Sequence, residues 1–213
     1  MPFSPIEELK KAVFDLTMLR NPPGPDGFIR GSFKKCWGLI KNDLLEAINQ
    51  FFHLRGNTWK LLNNAFIVLL PKKGNVDRAS DFRPISLMHS VAKILCKIMA
   101  NRLAPELQHM ISASQSAFLK GRSIQDNFLF VQNVIRRAFT RNSPLIFLKL
   151  DIAKAFDSVH WSYMLEVSKG FGFGQRWTDM IALLLSTSSS RVLLNGCPGM
   201  PFLHRRGLRQ GDP

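Results

Sequence analysis

The segment PLIFLKLDIAKAFD, residues 144–157, joins a run of apolar residues to an aspartate and then to a phenylalanine. The apolar run has the length of a buried strand, so we expect a strand over residues 145–150. Asp151 would then stand at the end of that strand. An aspartate there either caps the next helix, which the local sequence alone favours, or binds a hard cation such as Mg²⁺ at the rim of a sheet.

The composition is that of a globular protein. The chain has 213 residues, of which 46% are hydrophobic, enough for one large domain or two small ones with a buried core. Its apolar runs are too short to cross a bilayer, and its acidic, amphipathic start is unlike a secretory signal. We therefore expect an intracellular protein that does not enter a membrane.

The charge balance points to an anionic partner. Lysine and arginine number 29 against 15 acidic residues, which gives a formal net charge of +14. A basic surface favours binding to nucleic acid, because phosphate contacts release counterions. A protein that is merely basic is the alternative. The basic residues are dispersed along the chain, so any binding face would have to be formed by folding.

The cysteines provide no chemistry that can be inferred from the sequence. Cys36, Cys96 and Cys197 lie far apart, and none forms a Cys-x-x-Cys pair. Neither a zinc site nor a disulfide framework is indicated, and we expect ordinary thiols in the core.

The hydrophobic pattern mixes both kinds of secondary structure. Further strands are predicted over residues 65–70 and 84–87, joined by a polar hairpin connection, and helices over about 41–54, 90–103, 123–139, 161–168 and 175–186. Near the end of the chain, Asn195-Gly196 is a turn signal in a β-ribbon, but the proline-rich sequence around it argues against a simple two-residue hairpin. Without regular βαβ alternation, the pattern predicts an α+β fold.

Basic side chains flank the predicted hairpin. Lys72 and Lys73 follow its first strand, and Arg83 lies on the second. These cations could converge on a triphosphate, with arginine giving forked contacts and lysine a point charge. The same basic residues are also common at the solvent-exposed tip of a hairpin. If only the hairpin is considered, this is the better explanation.

Two further features suit a nucleotide site. Phe156 could form a bulky wall against a sugar, although core packing is the usual fate of phenylalanine. Arg206 and Arg209 surround a glycine turn, where the backbone could approach a base pair or a sugar. Each feature alone is weak evidence for a nucleotide site.

Taken together and in order, six segments resemble the reverse transcriptase domain of non-LTR (LINE-type) retrotransposons, as found in plant genomes. The segments are NPPGPDGF (21–28), FIVLLPKKG (66–74), DFRPISL (81–87), QSAFLKGRSIQDN (115–127), LKLDIAKAFDSVHW (148–161) and RGLRQGDP (206–213). The resemblance covers nearly the whole chain. It implies a right-hand polymerase, with an N-terminal extension and the fingers together at about 1–143 and the first part of the palm at about 144–213.

The resemblance also implies roles for single residues. Asp151 matches the first catalytic, metal-binding aspartate, and the Ile152 carbonyl is a further metal ligand. Phe156 matches the aromatic gate that senses the 2′ position of the incoming nucleotide. The remaining matched residues contact the nucleotide: Lys72 and Arg83 at the triphosphate, Gln210 and Gly211 against the nucleotide and the template base.

Other implications concern partners and chemistry. The implied partners are an RNA template, a DNA primer, deoxynucleoside triphosphates and Mg²⁺, and the implied location is nuclear. The GPDG and QSAFLKGRSI segments match regions associated with template RNA. Asp157 belongs to the same signature, but we expect it to stabilise the local turn rather than bind metal.

One element of the family pattern is missing. The family carries a second acidic motif with adjacent aspartates, and no such pair occurs in the 213 residues. We therefore expect a truncated domain that is inactive alone, since two-metal chemistry needs further carboxylates. The alternative is a non-catalytic, nucleic-acid-binding remnant of a retroelement.

Overall fold

The computed structural model describes residues 5–16, 23–54, 59–74 and 77–210. Gly211, one of the residues matched to the nucleotide site, lies outside them. The chain divides into two compact units, the first formed by residues 1–99 with 154–213 and the second by residues 100–153. The division into fingers and palm that the resemblance implies stays a prediction.

Helices and strands are mixed along the chain, which confirms the α+β class. The helices are α1 (Pro5–Asp15), α2 (Arg30–Lys35), α3 (Trp37–Phe52), α4 (Trp59–Leu62), α5 (Ser90–Met110), α6 (Ile124–Thr140), α7 (Ala155–Ser158), α8 (Trp161–Gly170) and α9 (Gln175–Ser186). The strands are β1 (Asn64–Pro71), β2 (Phe82–Met88), β3 (Ser189–Leu194), β4 (Cys197–Pro198) and β5 (Phe202–Leu203). No helix of the described ranges is long and apolar enough to span a membrane.

The predicted helices and the predicted hairpin form close to their expected bounds. The helix expected at 90–103 continues to Met110, and the helix expected at 41–54 begins earlier, at Trp37. The hydroxyl of Ser123 accepts a hydrogen bond from the Gln125 amide and caps α6, as its position before an amphipathic run predicts.

The core of the first unit lies between helices. Leu9 and Val13 of α1, Ile48 and Phe51 of α3 and Leu95 of α5 are all at most 3% exposed, and they belong to one apolar cluster. Burial of each large side chain contributes roughly 1.5–3 kcal/mol relative to exposure. A second, smaller cluster joins Ala92 of α5 to Ala65 of β1 and Met88 of β2, so α5 contacts the sheet that carries the site residues.

The sheet is mixed and has the strand order β2-β1-β3-β4, with β5 also paired to β3. β1 runs antiparallel to β2 and parallel to β3. β2 is therefore an edge strand. Pro84, which has no amide hydrogen to donate, lies on this edge strand opposite Leu69, as expected for proline in a sheet.

The ribbon after β3 corrects one prediction. Leu194 pairs with Cys197, and the two residues between them, Asn195 and Gly196, have φ of 51° and 80°. This is a two-residue hairpin turn of the I′ kind, so the expectation that a simple hairpin would not form is wrong. The pairing shifts by one residue between Leu193–Pro198 and Ser190–Phe202. The chain therefore forms a bulge at residues 199–201, which accommodates the proline-containing sequence after the turn.

The GPDG turn packs against the start of α5. The Asp26 carboxylate accepts a 2.6 Å hydrogen bond from the Ser90 amide, the first of that helix. A Cβ added to Gly24 would lie 2.0 Å from the Met88 carbonyl oxygen. Burial acts to raise the pKa of Asp26, but hydrogen bonds from His89, Ser90 and Phe28 outweigh it and lower the pKa. The carboxylate is thus a charged cap on a distant helix.

The second unit buries little apolar surface. Within residues 100–153, all of which are described, Ser116 is the one buried residue. The apolar side chains of α6 are exposed, among them Phe128 (68%), Phe130 (69%) and Phe139 (83%). The helix is amphipathic, so this unit presents an uncovered apolar face.

The strand predicted over residues 145–150 does not form, and that prediction is wrong. Residues 143–152 have no regular secondary structure, and Ile146 and Leu150 are 94% and 81% exposed. The apolar run has the composition of a strand, but a strand needs a hydrogen-bonded neighbour. None of the described strands pairs with it.

Candidate functional site

The strand register places Lys72 and Arg83 on one face of the β1–β2 hairpin. Arg83 lies directly opposite Leu70. The Lys72 amide donates a 2.9 Å hydrogen bond to the Asp81 carbonyl and continues the same ladder. Opposite residues of an antiparallel pair share a face, and so do alternate residues along a strand. Lys72 and Arg83 are therefore diagonal neighbours on that face.

The three basic residues of this hairpin differ in their engagement. The Lys72 ammonium donates a 2.8 Å hydrogen bond to the Ser80 carbonyl, and the Lys73 ammonium lies 3.7 Å from the Asp81 carboxylate. Arg83 is exposed, and its guanidinium has no hydrogen bond or ion pair within the described ranges. The Arg83 guanidinium is thus available to bind an anion. The Lys72 ammonium would have to give up only a hydrogen bond to a neutral carbonyl.

The segment of residues 207–210, here called the Gln210 segment, is docked onto the chain around Phe156. The Leu208 amide donates a 2.8 Å hydrogen bond to the Phe156 carbonyl, and the Gly207 amide donates an equally short one to the Val159 carbonyl. The Trp161 indole N–H donates to the Gly207 carbonyl at 2.7 Å. The two signature segments, AFDSVHW and RGLRQGDP, therefore form one hydrogen-bonded unit.

Glycine is required at the centre of this contact. Gly207 has a φ of +76°, and a Cβ there would lie 3.0 Å from the Phe156 carbonyl oxygen and from the Cα and carbonyl oxygen of Asp157. A side chain would therefore meet both conformational strain and close backbone contacts.

The other end of the Gln210 segment meets the sheet. The Gln210 carbonyl accepts a 3.0 Å hydrogen bond from the Ser86 amide. Because β2 is an edge strand, this bond satisfies an amide that has no strand partner on that side. Lys72, Arg83, Phe156 and Gln210 thus belong to one connected part of the first unit.

Phe156 is not a core residue. Its side chain is 51% exposed, and it lies in α7, whose N-cap residue Lys154 has a positive φ of 53°. The core-packing alternative is therefore not supported, and the ring is accessible to a ligand. The Asp157 backbone lies close to Gly207, and the expected role of Asp157 in the local turn stays a prediction.

Asp151 and Ile152 lie in the second unit and are both exposed. The Asp151 carboxylate makes no hydrogen bond or ion pair in the part of the chain that the structure describes. The next helix, α7, begins at Ala155 and has Lys154 as its N-cap residue. Asp151 is therefore not a helix cap, and its carboxylate is available.

The described residues do not by themselves form a magnesium site. No group of three or more His, Cys, Asp or Glu side chains in these ranges could hold a metal ion. Mg²⁺ needs about six oxygen ligands, of which Asp151 and the Ile152 carbonyl would supply two. Any metal held here needs ligands from elsewhere.

The QSAFLKGRSI segment is organised by Arg122. Its guanidinium donates to the carbonyls of Gln115 at 2.7 Å and Ile111 at 3.0 Å, among others. At the tip of the loop, Phe118 is 96% exposed and has a φ of 65°. Arg122 thus has a structural role in the loop, while the tip presents an aromatic side chain to solvent.

Several residues at the site have no signal in the sequence. Asn63 binds Arg209, Trp161 binds Gly207 and Ser86 binds Gln210. Each contact joins positions that are far apart along the chain, and each uses a backbone group that any residue carries. Only the motif spacing around Trp161 hints at its role.

Comparisons with known proteins identify the family. Residues 70–213 match the family model described as reverse transcriptase (RNA-dependent DNA polymerase). The chain is 29% identical over 208 residues to a transposon TX1 protein of Xenopus laevis, covering 98% of this chain and 16% of that protein. It is 26% identical over 195 residues to the Pol polyprotein of the type-2 retrotransposable element R2DM of Drosophila melanogaster, covering 92% and 18%.

A third relative is the Pol polyprotein of the type-1 retrotransposable element R1 of Bradysia coprophila. It is 31% identical over 156 residues, which cover 69% of this chain and 15% of that protein. This chain therefore spans less than one-fifth of the length of these three relatives. Because the family model covers more than half of the chain, the chain belongs to the reverse transcriptase (RNA-dependent DNA polymerase) family.

Proposed function

We propose that this chain supplies the nucleotide-holding part of a non-LTR (LINE-type) retrotransposon polymerase that copies RNA into DNA. The complete enzyme would add deoxynucleotides to the 3′ hydroxyl of a primer. The observation that carries this proposal is the shared face of Lys72 and Arg83 on the β1–β2 hairpin, whose edge strand β2 also binds the Gln210 carbonyl. A cationic face beside a fixed backbone segment suits a ligand with phosphates at one end and a base at the other.

The proposed roles are those that the family resemblance implies, and the geometry of the described residues supports them. Lys72 and Arg83 bind the triphosphate, the lysine as a point charge and the arginine through a forked contact. Gln210 and Gly211 lie against the nucleotide and the template base. Phe156 stands at the sugar and limits the space for a 2′ hydroxyl. Its half-exposed ring and its backbone bond to the Gln210 segment support that position.

Asp151 is proposed as one metal ligand, with Ile152 contributing its carbonyl. The free, exposed carboxylate supports this assignment over a capping role. The metal proposed is Mg²⁺, since reverse transcriptases generally use divalent ions and carboxylate oxygens suit this one. Further acidic ligands would be needed, so we expect no polymerisation by residues 1–213 alone.

The proposed macromolecular partners are an RNA template and a DNA primer. The net charge of +14 supports a polyanionic partner. A plant element as the source and a nuclear location remain predictions. The rival function is that of a non-catalytic remnant that keeps the basic fingers, binds nucleic acid and has lost the chemistry.

Binding measurements on the 213-residue chain separate the two functions. The probes are a fluorescent deoxynucleoside triphosphate with Mg²⁺ and a labelled single-stranded RNA. We expect both to bind, with RNA affinity falling steeply as salt rises, because phosphate contacts dominate. RNA binding without triphosphate binding would favour the remnant. If the chain bound neither probe, the proposed function would be contradicted.

A further inference from the structure

Arg209 connects the Gln210 segment to the start of β1. One guanidinium nitrogen of Arg209 donates to the Asn63 side-chain oxygen at 2.6 Å, and another donates to the Asn63 backbone carbonyl at 3.2 Å. Both contacts go to the same residue, so the fork of the guanidinium sets the direction of the Arg209 side chain.

Asn63 is itself held firmly. It is 0% exposed, and its amide nitrogen donates to the Leu184 carbonyl at 2.5 Å and to the Thr187 hydroxyl at 2.9 Å. Its backbone carbonyl also accepts a bond from the Ser189 amide, the first residue of β3. Asn63 therefore joins α9, β1 and β3, and it is a rigid anchor for Arg209.

The Gln210 segment is thus attached at three places. Its first residues bind the backbone of Phe156 and Val159 and the Trp161 indole, Arg209 binds Asn63, and the Gln210 carbonyl binds the Ser86 amide. The attachment by Arg209 is the one made by a side chain to a buried partner. Loss of this attachment would leave the segment without its charged contact, held by the backbone bonds and the Trp161 indole alone, so it would open more readily.

We propose that Asn63 and Arg209 form a latch that positions the Gln210 segment for nucleotide binding. The proposal rests on the proposed function, because positioning has a purpose only if the segment contacts a nucleotide. It assigns Arg209 to the scaffold rather than to the ligand, although Arg209 adjoins the residue matched to the site. In this scheme Asn63 and Arg209 are positioning residues.

The surroundings of Arg209 are consistent with a fixed cation. Burial, and then the positive charge of Arg209, lower the pKa of His204 below its usual value. His204 Nε2 lies 2.8 Å from the hydroxyl of Ser190, a buried residue of β3. Repulsion between a protonated His204 and the guanidinium accounts for the second of these two effects.

The test compares Arg209→Ala and Arg209→Lys with Arg205→Ala in the full 213-residue chain. Arg205 is an exposed neighbour, and its replacement removes the same charge. Two quantities are measured: hydrogen exchange of the Leu208 and Ser86 amides, and the dissociation constant for the fluorescent deoxynucleoside triphosphate. Hydrogen exchange of these amides reports how often the Gln210 segment detaches, whether or not a nucleotide binds.

For Arg209→Ala we expect exchange of both amides and the dissociation constant to rise about tenfold, since a charged hydrogen bond to a buried partner is lost. Arg209→Lys should give a smaller rise, because lysine keeps the charge without the fork. Arg205→Ala should change neither quantity. Arg209 is preferred to Asn63 as the main site because loss of the buried asparagine would also free Leu184 and Thr187.

Two results would contradict the latch. One is faster hydrogen exchange at the Ser189 amide of β3 in Arg209→Ala, with unchanged exchange at Leu208 and Ser86. This result would show that Arg209 stabilises the sheet and not the Gln210 segment. The other is a loosened segment with unchanged triphosphate affinity in a chain that does bind the probe. Loosening in Arg209→Ala together with no triphosphate binding by the unmodified chain would support the latch and contradict the proposed function instead.

Discussion

The amide of Leu208 donates a 2.8 Å hydrogen bond to the carbonyl of Phe156. This bond makes the proposed sugar-facing residue and the proposed base-facing segment parts of one structure. Their relative position is set by backbone bonds and by the Trp161 indole rather than by a ligand. The site is therefore largely preformed on this side, and changes in the contact should alter nucleotide binding.

Replacement of Gly207 by alanine tests this contact. The added Cβ would lie 3.0 Å from backbone atoms of Phe156 and Asp157, so we expect a loss of about 1–3 kcal/mol in the free energy of unfolding. Urea unfolding measures the loss, and triphosphate affinity should fall with it.

Gly172→Ala is the matched control for this change. Gly172 has a similar φ of +85°, but a Cβ there would have nothing within 4 Å. Its replacement should cost about 1 kcal/mol from conformational strain alone and leave triphosphate affinity unchanged. Equal effects of the two substitutions on both quantities would show that the contact with Phe156 is unimportant.

Phe156→Val tests the proposed sugar wall. A smaller side chain should leave room for a 2′ hydroxyl, so the preference for a deoxynucleoside over a ribonucleoside triphosphate should fall by about tenfold. Phe171→Val serves as control, since Phe171 is 50% exposed against 51% for Phe156 and lies outside the motif. The measured quantity is the ratio of the dissociation constants for the ribonucleoside and deoxynucleoside triphosphates. An unchanged ratio in Phe156→Val would contradict the assignment of Phe156 to the sugar.

The local elements were predictable because their signals are local. The amphipathic pattern of α6 and its Ser123 cap lie within a few residues of each other, and so does the alternation of the β1–β2 hairpin. The register of that hairpin places Arg83 opposite Leu70, two residues before Lys72, while the convergence of the two cations on a triphosphate stays a prediction. The Asn195-Gly196 turn also followed its local signal, and the neighbouring prolines were accommodated in a bulge.

The errors arose where structure depends on distant partners. Residues 145–150 have the composition of a strand, yet no described strand pairs with them. The Asn63–Arg209 latch joins one asparagine to one arginine among 29 basic residues, and nothing near either residue marks the pair. Sequence patterns report which face is apolar, but not which distant group will meet it.

Asp151→Asn tests whether this residue caps a helix. Its exposed carboxylate is without partners in the described ranges, so we expect a change in unfolding free energy within about 0.5 kcal/mol. Ser123→Ala, which removes the α6 cap, should cost about 1 kcal/mol. Thermal unfolding measures both, and a loss for Asp151→Asn as large as that for Ser123→Ala would restore the capping role.

Asp26→Ala should show a loss of stability that depends on pH. The folded-state pKa of Asp26 is lowered by its hydrogen bonds. Its charge therefore stabilises the fold above the unfolded pKa of about 4, and this contribution is lost as pH falls through the folded value. We expect a cost of about 1–2 kcal/mol at neutral pH.

Urea unfolding at pH 7 and at pH 3 measures this difference between the unmodified chain and Asp26→Ala, which should shrink at the lower pH. Asp26→Asn keeps a hydrogen-bond acceptor without the charge, so its cost should be smaller at neutral pH. A cost for Asp26→Ala that is the same at both pH values would show that the charge of Asp26 contributes nothing.

The most direct test of the central claim is the affinity for a deoxynucleoside triphosphate of the Lys72→Ala, Arg83→Ala double variant. Lys73→Ala is the control, because Lys73 neighbours Lys72 but is engaged with Asp81. We predict that the double variant raises the dissociation constant by about tenfold or more. Its RNA affinity should stay mostly intact, and the control should bind both probes almost as the unmodified chain does. A collapse of RNA affinity with unchanged triphosphate binding would contradict the account.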